Sequence, residues 1–288
     1  MRRLILSRKG FDAGYGGMPS PILPDGRLLP LPIPGRHDAF TLADAVGAGE
    51  DHARLLAELS RGRITLATQV HLDPDLARPP GRRLPGWRPA LGQAGGAQSH
   101  LRTQGVGAGD VFLFFGWFRE VENGPCGWRF VPRAPDLHVL FGWLEVGAVL
   151  PVVLRREACL ARYPWIADHP HVANPEHYAS PSNTLYVARA RSRLAPRRAG
   201  GGVFPRYRPE LRLTAEGESR SIWTLPSWFH PAPGRAALSY HGRPSRWRIT
   251  GAGCRLHSVP KGQEFVMDVG GCESEAETWL RNLVAGAC

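Results

Sequence analysis

Four polar residues near the start of the sequence have side chains that could do chemistry together: Ser7, Arg8, Lys9 and Asp12. They follow the apolar residues 4–6, which predict a short buried strand, so they lie at a strand end. Loops at strand ends often carry functional groups, because the sheet fixes the base of the loop and leaves its tip accessible. Arg8 and Lys9 suit phosphate contact, and Asp12 suits a general base. We predict Arg8, Lys9 and Asp12 as catalytic and Ser7 as substrate-binding; an ordinary charged turn is the alternative.

A second group of ionisable side chains follows in the segment His-Leu-Asp-Pro-Asp, residues 71–75. In an extended segment side chains repeat every second residue, so His71, Asp73 and Asp75 would share one face. That face could hold a divalent metal ion, with Asp73 and Asp75 as ligands and His71 taking part in catalysis. The alternative is a turn, since Asp-Pro-Asp is a common turn sequence. A divalent cation is the one cofactor that these residues suggest, and its identity is unknown from the sequence.

Polar and aromatic side chains elsewhere could contact a substrate. His100 and Gln104 precede the strongest predicted strand of the chain and would stand at the rim of a pocket. Trp117 follows that strand and could stack on a base, although aromatic residues of strands more often belong to the core. Gln263 and Glu264 open a late strand, where they could bind a ligand or be solvated on a sheet edge. We predict all five as substrate-binding residues.

The elements that must position these residues are short strands joined by long loops. The sequence has 34 glycines and 27 prolines, so much of it must form turns and irregular loops. An amphipathic helix is predicted at residues 274–285, with Ser274 as its cap and Glu277 three positions later. Strands are predicted at residues 4–6, 64–68, 111–115, 137–146, 149–155, 184–188, 211–213, 247–250 and 264–269.

These elements predict an α+β fold with mainly antiparallel strands, a partly barrel-like central sheet, few helices and long Gly/Pro-rich loops. We divide the chain into an N-terminal α+β part (residues 1–100), barrel-like central strands (residues 101–190) and basic C-terminal strands with the terminal helix (residues 191–288). We expect the three segments to form one integrated domain, because 288 residues fit a single elaborated domain.

The distribution of charge favours an anionic partner. The formal net charge is +11, from 36 basic and 25 acidic residues. The excess is carried by the two ends, with 13 basic and 9 acidic side chains in residues 1–100, 8 and 8 in residues 101–190, and 15 and 8 in residues 191–288. Because nucleic acids and nucleotides are polyanions, this pattern favours them as partners. A genome rich in G and C explains the preference for Arg over Lys but not the net excess.

Several classes of protein are disfavoured by what the sequence lacks. The five cysteines are scattered without zinc or disulfide spacing. The start of the chain reads as a strand and not as a signal peptide, and the longest apolar runs are too short to span a bilayer. We therefore expect a cytoplasmic protein without membrane contact; its oligomeric state is unknown. No serine-hydrolase elbow, zinc-protease or P-loop motif is present.

Motifs spread along the chain resemble the third nucleotide-modification-associated domain family. The opening residues 7–12 continue into Gly17-Met18-Pro19-Ser20-Pro21-Ile22, Asp25-Gly26 and Leu31-Pro32-Ile33-Pro34, and further matching motifs lie at residues 71–75, 109–117, 183–187 and 262–266. The resemblance implies an association with modified bases in DNA, and it implies no particular reaction. The functional residues that it carries over are Ser7, Arg8, Lys9, Asp12, Ser20, His71, Asp73 and Asp75, with Ser20 added as substrate-binding.

The middle segment is also similar in pattern to PUA-like barrels, the EVE and ASCH relatives, in which a Gly-Asp turn precedes a hydrophobic strand. Three functional hypotheses follow. The first is an enzyme that acts on a nucleobase or nucleotide. The second is a non-catalytic reader of modified bases with a PUA-like pocket. The third is a metal-dependent nuclease or hydrolase. The clustered polar residues at the start of the chain favour the first, because a reader needs no such cluster.

Overall fold

The computed structural model describes residues 1–78, 81, 83–233, 235–251, 253–260 and 262–286. Its strands are β1 (Arg3–Arg8), β2 (Ser20–Ile22), β3 (Ala90–Gln93), β4 (Val111–Gly124), β5 (Gly127–Phe130), β6 (Leu137–Leu150), β7 (Thr184–Ala188), β8 (Gly201–Val203), β9 (Ile222–Leu225), β10 (Trp247–Thr250), β11 (Gly253–His257) and β12 (Glu264–Asp268). Its α-helices are α1 (Leu42–Val46), α2 (Glu50–Ser60), α3 (Gly95–Thr103), α4 (Arg156–Arg162), α5 (Pro170–Ala173) and α6 (Glu273–Ala285). Short 3-10 helices lie at Pro164–Asp168, Pro209–Leu211, Ser227–Phe229 and Pro244–Arg246.

The strands form a large sheet and a small one. In the large sheet the order is β12-β1-β4-β6-β7-β3, with β2 and β5 added to β4 and β8 added to β6. Strands β1 and β2 run parallel to β4, whereas the other pairings of the large sheet are antiparallel. The small sheet is antiparallel, in the order β10-β11-β9. The predicted α+β class with mainly antiparallel strands is confirmed, and strands of the large sheet come from all three proposed segments.

The barrel-like, PUA-like character expected for the central sheet is not confirmed. Across the described residues, backbone pairing leaves β12 and β3 as the two ends of an open path. Alternation of apolar residues determines which face of a strand is buried, but not whether the first and last strands pair, so the sequence pattern could not separate the two cases. The two ends meet through side chains instead, because Gln93 Nε2 of β3 donates to Glu264 Oε1 of β12 at 2.6 Å.

The pair β4–β6 forms the centre of the large sheet. Strand β1 pairs with β4 and leads to the polar residues Ser7, Arg8, Lys9 and Asp12, which we call the opening block. Residues 111–116 of β4 are buried on both faces of the sheet, which explains their continuous apolar sequence. Strand β1 lies between β4 and β12, with Leu6 opposite both Leu113 and Phe265. Its end is therefore held on both sides, and the residues that follow Arg8 start from a fixed position.

Four predicted elements differ from the structure. Residues 211–213 do not form the predicted strand, because Leu211 ends a 3-10 helix and Arg212 makes only an isolated bridge to Val139. Residues 64–68 form a turn and not a strand, because the Thr68 N–H donates to the Thr65 carbonyl and the Thr65 N–H donates to the Thr68 hydroxyl, each at 3.0 Å. The strand predicted at residues 149–155 is the end of β6, which stops at Leu150. Helix α6 begins at Glu273 with Cys272 as its N-cap and has no side-chain cap, so Ser274 is not the capping residue.

Among the described residues, no helix has both the length and the apolar composition that a membrane crossing would need.

A buried histidine beside the central strands makes stability depend on pH. His138 of β6 is 8% exposed, and its Nδ1 accepts a hydrogen bond from Trp223 Nε1 at 3.0 Å. Burial, together with Arg8 and Arg220, holds the pKa of His138 well below its usual value. Below about pH 6.5 the unfolded chain binds a proton that folded His138 does not, so its contribution to stability is complete above that pH and lost below it.

We expect His138→Gln to flatten this dependence, because glutamine keeps an acceptor for Trp223 and does not titrate. Urea unfolding between pH 7 and pH 5 should show a slope smaller than that of the wild type by up to about 1.4 kcal/mol per pH unit. The exposed His257 of β11 provides the matched control, and His257→Gln should leave the slope unchanged. Equal slopes for His138→Gln and the wild type would contradict the assignment.

Candidate functional site

A cleft of about 390 Å³ opens beside the end of β1. Its walls include Arg8, Lys9 and Asp12 from the opening block, and His71 and Asp73 from the second predicted group. The remaining wall residues come from β3, from α5, from the loop before β12 and from the loops after β1: Gly10, Tyr15, Ile33, Gly92, Gln93, His171, Pro260, Gly262 and Gln263. Two groups that are far apart in sequence therefore face one cavity.

The residues in this cleft that are best suited to hold a metal ion are His71, Asp73 and His171, which we call the His–Asp–His group. One candidate ligand atom from each lies within 4.8 Å of the other two. Nε2 of His71 and Nε2 of His171 are each 3.9 Å from Oδ2 of Asp73. Two imidazoles and one carboxylate are a donor set that transition metals such as iron and zinc accept in proteins.

The tautomer of His71 suits metal binding. Its Nδ1 lies 3.1 Å from Oδ2 of Asp38, a buried carboxylate that can only accept, so the proton of the ring is on Nδ1. The hydroxyl of Tyr178 lies 3.0 Å from the same nitrogen. Burial and the carboxylates of Asp38 and Asp73 raise the pKa of Tyr178, so this hydroxyl stays protonated. Nε2 of His71, the ring nitrogen that neither Asp38 nor Tyr178 contacts, faces Oδ2 of Asp73.

His171 is oriented in the same way by a different partner. Asn183 uses its amide N–H groups on the carbonyls of His171 and Tyr178, at 2.8 and 3.0 Å, so its Oδ1 faces His171 Nδ1 as an acceptor at 2.7 Å. Burial lowers the pKa of His171, although Asp73 opposes the shift, and the ring is therefore neutral at pH 7. The ring of Tyr178 stacks on it, with centroids 4.4 Å apart. Nε2 of His171 is again the nitrogen left for a ligand.

The carboxylate of Asp73 is positioned through its Oδ1 atom. Its Oδ1 accepts a hydrogen bond from the Gly92 N–H at 2.6 Å and lies 3.6 Å from Nε2 of His169. His169 is fully buried, and its Nδ1 accepts from the backbone N–H of His171 at 3.3 Å. Burial, with a contribution from Arg78, holds the pKa of His169 well below its usual value, so the ring is neutral with its proton on Nε2. The Gly92 N–H holds Oδ1, and Oδ2 faces Nε2 of His71 and Nε2 of His171.

Such outer contacts are what protein metal sites use to orient their ligands, since a ligating histidine usually donates its other N–H to a carboxylate or carbonyl oxygen. Asp38 and Asn183 have that role toward His71 and His171, and the Gly92 N–H has it toward Asp73. The arrangement could bind a divalent cation, polarise a bound oxygen, or activate water.

Close packing of β3 against α5 fixes His171 further. A Cβ atom added to Gly92 would overlap the His171 ring, so the strand can approach the ring this closely only with glycine at this position. The same applies to Gly35, where a Cβ would overlap Oδ2 of Asp38. These two glycines are therefore part of the geometry of the site and not only of its loops.

The opposite side of the cleft is organised around Glu264, the first residue of β12. Its Oε1 accepts hydrogen bonds from Ser7 Oγ at 3.1 Å, Lys9 Nζ at 3.0 Å and Gln93 Nε2 at 2.6 Å. The side chain of Glu264 is 1% exposed, and that of Lys9 is 10% exposed. Ser7 and Lys9 thus meet Glu264 within the protein, and Lys9 faces the cleft as one member of a buried ion pair.

The two other charged residues of the opening block have structural contacts in addition to facing the cleft. Arg8 donates to the carbonyls of Pro260 and Val259, at 2.7 and 3.0 Å, and its guanidinium lies over the ring of Phe265. Burial and the nearby Arg220 lower the pKa of Arg8, so an anion next to these two cations would be stabilised. Asp12 is exposed, and its Oδ1 accepts from the N–H groups of Gly14 and Tyr15, each at 2.7 Å.

The structure does not bring Asp75 to the His–Asp–His group. The segment does not stay extended with one shared face, because Asp75 turns into the interior, where its Oδ2 accepts from Arg78 at 2.6 Å and from Trp87 at 3.0 Å. Its main chain pairs with Ala90. Burial raises the pKa of Asp75, with Arg78 opposing the shift. The candidate group therefore differs from the predicted ligands Asp73 and Asp75. It keeps Asp73, leaves out Asp75, and includes His171 and His71, the latter predicted as catalytic.

The remaining predicted substrate-binding residues lie in different places. Ser20 is buried in β2, and its hydroxyl accepts from the Leu31 N–H at 3.1 Å, so it stabilises the loop behind the cleft. Gln104 is the C-cap of α3 and accepts from Arg3 Nε through its carbonyl. Trp117 lies under Arg220, with the guanidinium 4.4 Å from the ring centroid. His100, Gln263 and Glu264 line a smaller cavity beside the cleft.

Sequence reasoning missed Asp38, Gln93, His169, His171, Tyr178 and Asn183. His169 and His171 flank a proline in a polar stretch without periodicity, and nothing in their spacing relates them to His71. Their alternation, His-Pro-His, is the one local signal that could have drawn attention to them.

The sequence model of the family described as nucleotide modification associated domain 3 matches residues 3–268. The match begins at the first residue of β1 and ends at the last residue of β12, so it includes both sides of the cleft. Comparison with curated proteins and with solved structures gave no significant match. Because the family model covers nearly the full length of the protein, the chain belongs to the nucleotide modification associated domain 3 family.

Proposed function

We propose that the protein is a metal-dependent enzyme that modifies a nucleobase or nucleotide. The observation that carries this proposal is the geometry of the His–Asp–His group. Nδ1 of each imidazole faces a carboxylate or amide oxygen, and both Nε2 atoms are 3.9 Å from the same carboxylate oxygen. The family suggests nucleobases or nucleotides as the substrate class, because its description associates it with nucleotide modification.

In this proposal His71, Asp73 and His171 hold the cation, which when bound supplies Lewis acidity at a substrate or water oxygen. Lys9 and Arg8 stand on the same cleft and would interact with the phosphate of the substrate. Asp12 is the exposed carboxylate of the cleft and is assigned to proton transfer. The net charge of +11 is consistent with a polyanionic partner, either nucleic acid or nucleotide.

The two alternatives remain as outcomes of the tests. A non-catalytic reader of modified bases has no need of a His–Asp–His group whose nitrogen and oxygen atoms are oriented by surrounding hydrogen bonds, which disfavours that hypothesis. A metal-dependent nuclease or hydrolase would use the same group to activate water, and it differs in its products and not in its site.

The first prediction concerns metal binding. Isothermal titration with Mn²⁺ and Zn²⁺ should show one site per chain in the wild type, and His71→Ala and His171→Ala should each weaken binding at least about tenfold, because each removes one of three ligands. His257→Ala, at an exposed histidine that does not line the cleft, is the matched control and should bind as the wild type does. Wild-type protein that binds neither ion would overturn the proposal.

A second prediction tests the packing that positions His171. Gly92→Ala introduces a Cβ that overlaps the His171 ring, so metal affinity should fall about 10- to 100-fold in a protein that remains folded by circular dichroism. Gly96→Ala, at a helix position where a Cβ meets open space, is the control and should keep the wild-type affinity. Unchanged metal binding in Gly92→Ala would show that His171 is not a ligand.

The third prediction concerns the reaction. Single- and double-stranded DNA, RNA and mononucleotides should be incubated with metal-loaded protein, digested to nucleosides and analysed by mass spectrometry. A nucleoside of altered mass that disappears with His71→Ala supports the proposal. Strand scission without an altered nucleoside would assign the nuclease function instead, and no change in any substrate, at full metal occupancy, would favour the reader.

A further inference from the structure

A second cavity, of about 250 Å³, lies directly beside the cleft. It is lined by Ala97, His100, Tyr240, Gly262, Gln263 and Glu264, and it shares Gly262 and Gln263 with the cleft. Cavities that take drug-sized ligands have volumes of about 300–1,000 Å³. The smaller volume here fits one aromatic ring system better than a whole nucleotide.

Tyr240 is the unusual residue of this cavity, and its conformation needs an explanation. It is 55% exposed although large and aromatic, and its φ of 66° lies in the left-handed region, which non-glycine residues with bulky side chains rarely adopt. Such a conformation is strained and persists where the surrounding structure enforces it, most often at functional sites.

The surrounding structure does enforce it. The neighbouring Ser239 pairs with Val266 of β12, its N–H donating to the Val266 carbonyl and its hydroxyl accepting from the Val266 N–H, both at 2.8 Å. On the other side, the ring of His241 contacts the Ser239 carbonyl at 2.8 Å, and the His241 carbonyl accepts from Trp247 Nε1 at 2.7 Å. These four hydrogen bonds fix the residues on both sides of Tyr240. The backbone of Tyr240 therefore stays in the left-handed region, with its side chain at the cavity.

His100 completes an aromatic wall with Tyr240. The two rings are 4.6 Å apart, and Nε2 of His100 is 3.0 Å from the Ser239 hydroxyl. A planar aromatic ligand could therefore stack on a surface that is already assembled, which lowers the entropic cost of binding.

The polar end of the cavity is Glu264. Its Oε1 has three donors, but its Oε2 is buried and has no hydrogen-bond partner among the described residues. A buried carboxylate oxygen without a donor is costly, so a donor from a ligand would be favourable there. Carboxylates accept N–H groups from nucleobase edges, as from the exocyclic amine of cytosine.

We propose that this cavity holds a nucleobase, stacked against Tyr240 and His100, with an N–H of the base donating to Glu264. The inference rests on the proposed function and deepens it, because it names the part of the substrate that this cavity recognises. The base could belong to a free nucleotide or to a nucleotide extruded from a strand, and the recognition chemistry is the same in both cases.

The position of the cavity relative to the His–Asp–His group supports this assignment. Gly92 of β3 donates to Asp73, and the next residue, Gln93, donates to Glu264. Two consecutive residues of one strand therefore connect the proposed metal ligand Asp73 to the proposed base-binding carboxylate of Glu264. A nucleotide bound by its base at Glu264 would lie beside the proposed metal site.

The test uses Tyr240→Gly, which removes the ring while suiting the left-handed backbone, so the variant should be at least as stable as the wild type. Binding of dCMP, dAMP, dGMP and dTMP, and of a short single-stranded oligonucleotide, is measured by titration in EDTA. Tyr240→Gly should lose affinity about 5- to 140-fold, the effect of one stacked base, whereas Tyr240→Phe should retain it. Glu264→Gln, which replaces the unpartnered acceptor by a donor, should also weaken binding.

The controls separate this inference from the metal proposal. Arg133→Gly replaces another exposed residue in left-handed conformation (φ 63°) and should bind as the wild type does. His71→Ala should lose metal but keep base binding, so that either proposal can fail alone. Deoxyribose 5-phosphate, which has no base, should not compete. Equal affinity of Tyr240→Gly and the wild type, or full competition by the sugar phosphate, would overturn the inference. Binding of the oligonucleotide but not of mononucleotides would identify the extruded base as the source.

Discussion

The hydrogen bonds to one oxygen of Glu264 hold the two sides of the site together. In the order of the large sheet, β12 and β3 are at opposite ends, yet Ser7 and Lys9 from the neighbouring β1 and its following loop, and Gln93 from β3, converge on Glu264 Oε1. A buried carboxylate is tolerated only when its charge and lone pairs are compensated, and one oxygen of Glu264 has both an ammonium and two neutral donors. In a closed sheet, backbone hydrogen bonds would join β12 to β3. Here the side chains of Glu264 and Gln93 join the two strands, and the cleft lies beside this contact.

Both parts of the candidate site are positioned by the residues around them. The ligand-type atoms of the His–Asp–His group are oriented by residues that do not line the cleft, such as Asp38 and Asn183, so they are positioned without a bound ligand. The Tyr240 cavity is likewise assembled in advance by the contacts of Ser239 and His241. Both parts are therefore preorganised, and preorganisation is what allows a site to bind a small ligand without first ordering its own side chains.

The sequence was informative where function depends on local patterns. The strand end at Arg8, the polar block after it and the strands 111–115 and 184–188 could be predicted because apolar runs and turn residues determine them locally. The site could be predicted only in part. His71 and Asp73 were found by alternation, but alternation also predicted Asp75, whose direction is determined by Arg78 and Trp87. His171 joins the group through the packing of α5 on β3, and no spacing rule in a single sequence expresses a contact of that kind. The open sheet was missed for the same reason, since its ends meet through Gln93 and Glu264 and not through a strand pattern.

The position of β1 between β4 and β12 has a consequence for how the protein is made. During synthesis the first strand leaves the ribosome well before the strands on both of its sides, and its partner β12 ends at Asp268. Pairings between distant parts of a chain slow folding, because loop closure precedes the gain from contacts. The cleft, which needs residues 8–12 and 260–263 side by side, can therefore form only when nearly the whole domain has been translated. Nascent chains that stop short of β12 would therefore lack the cleft.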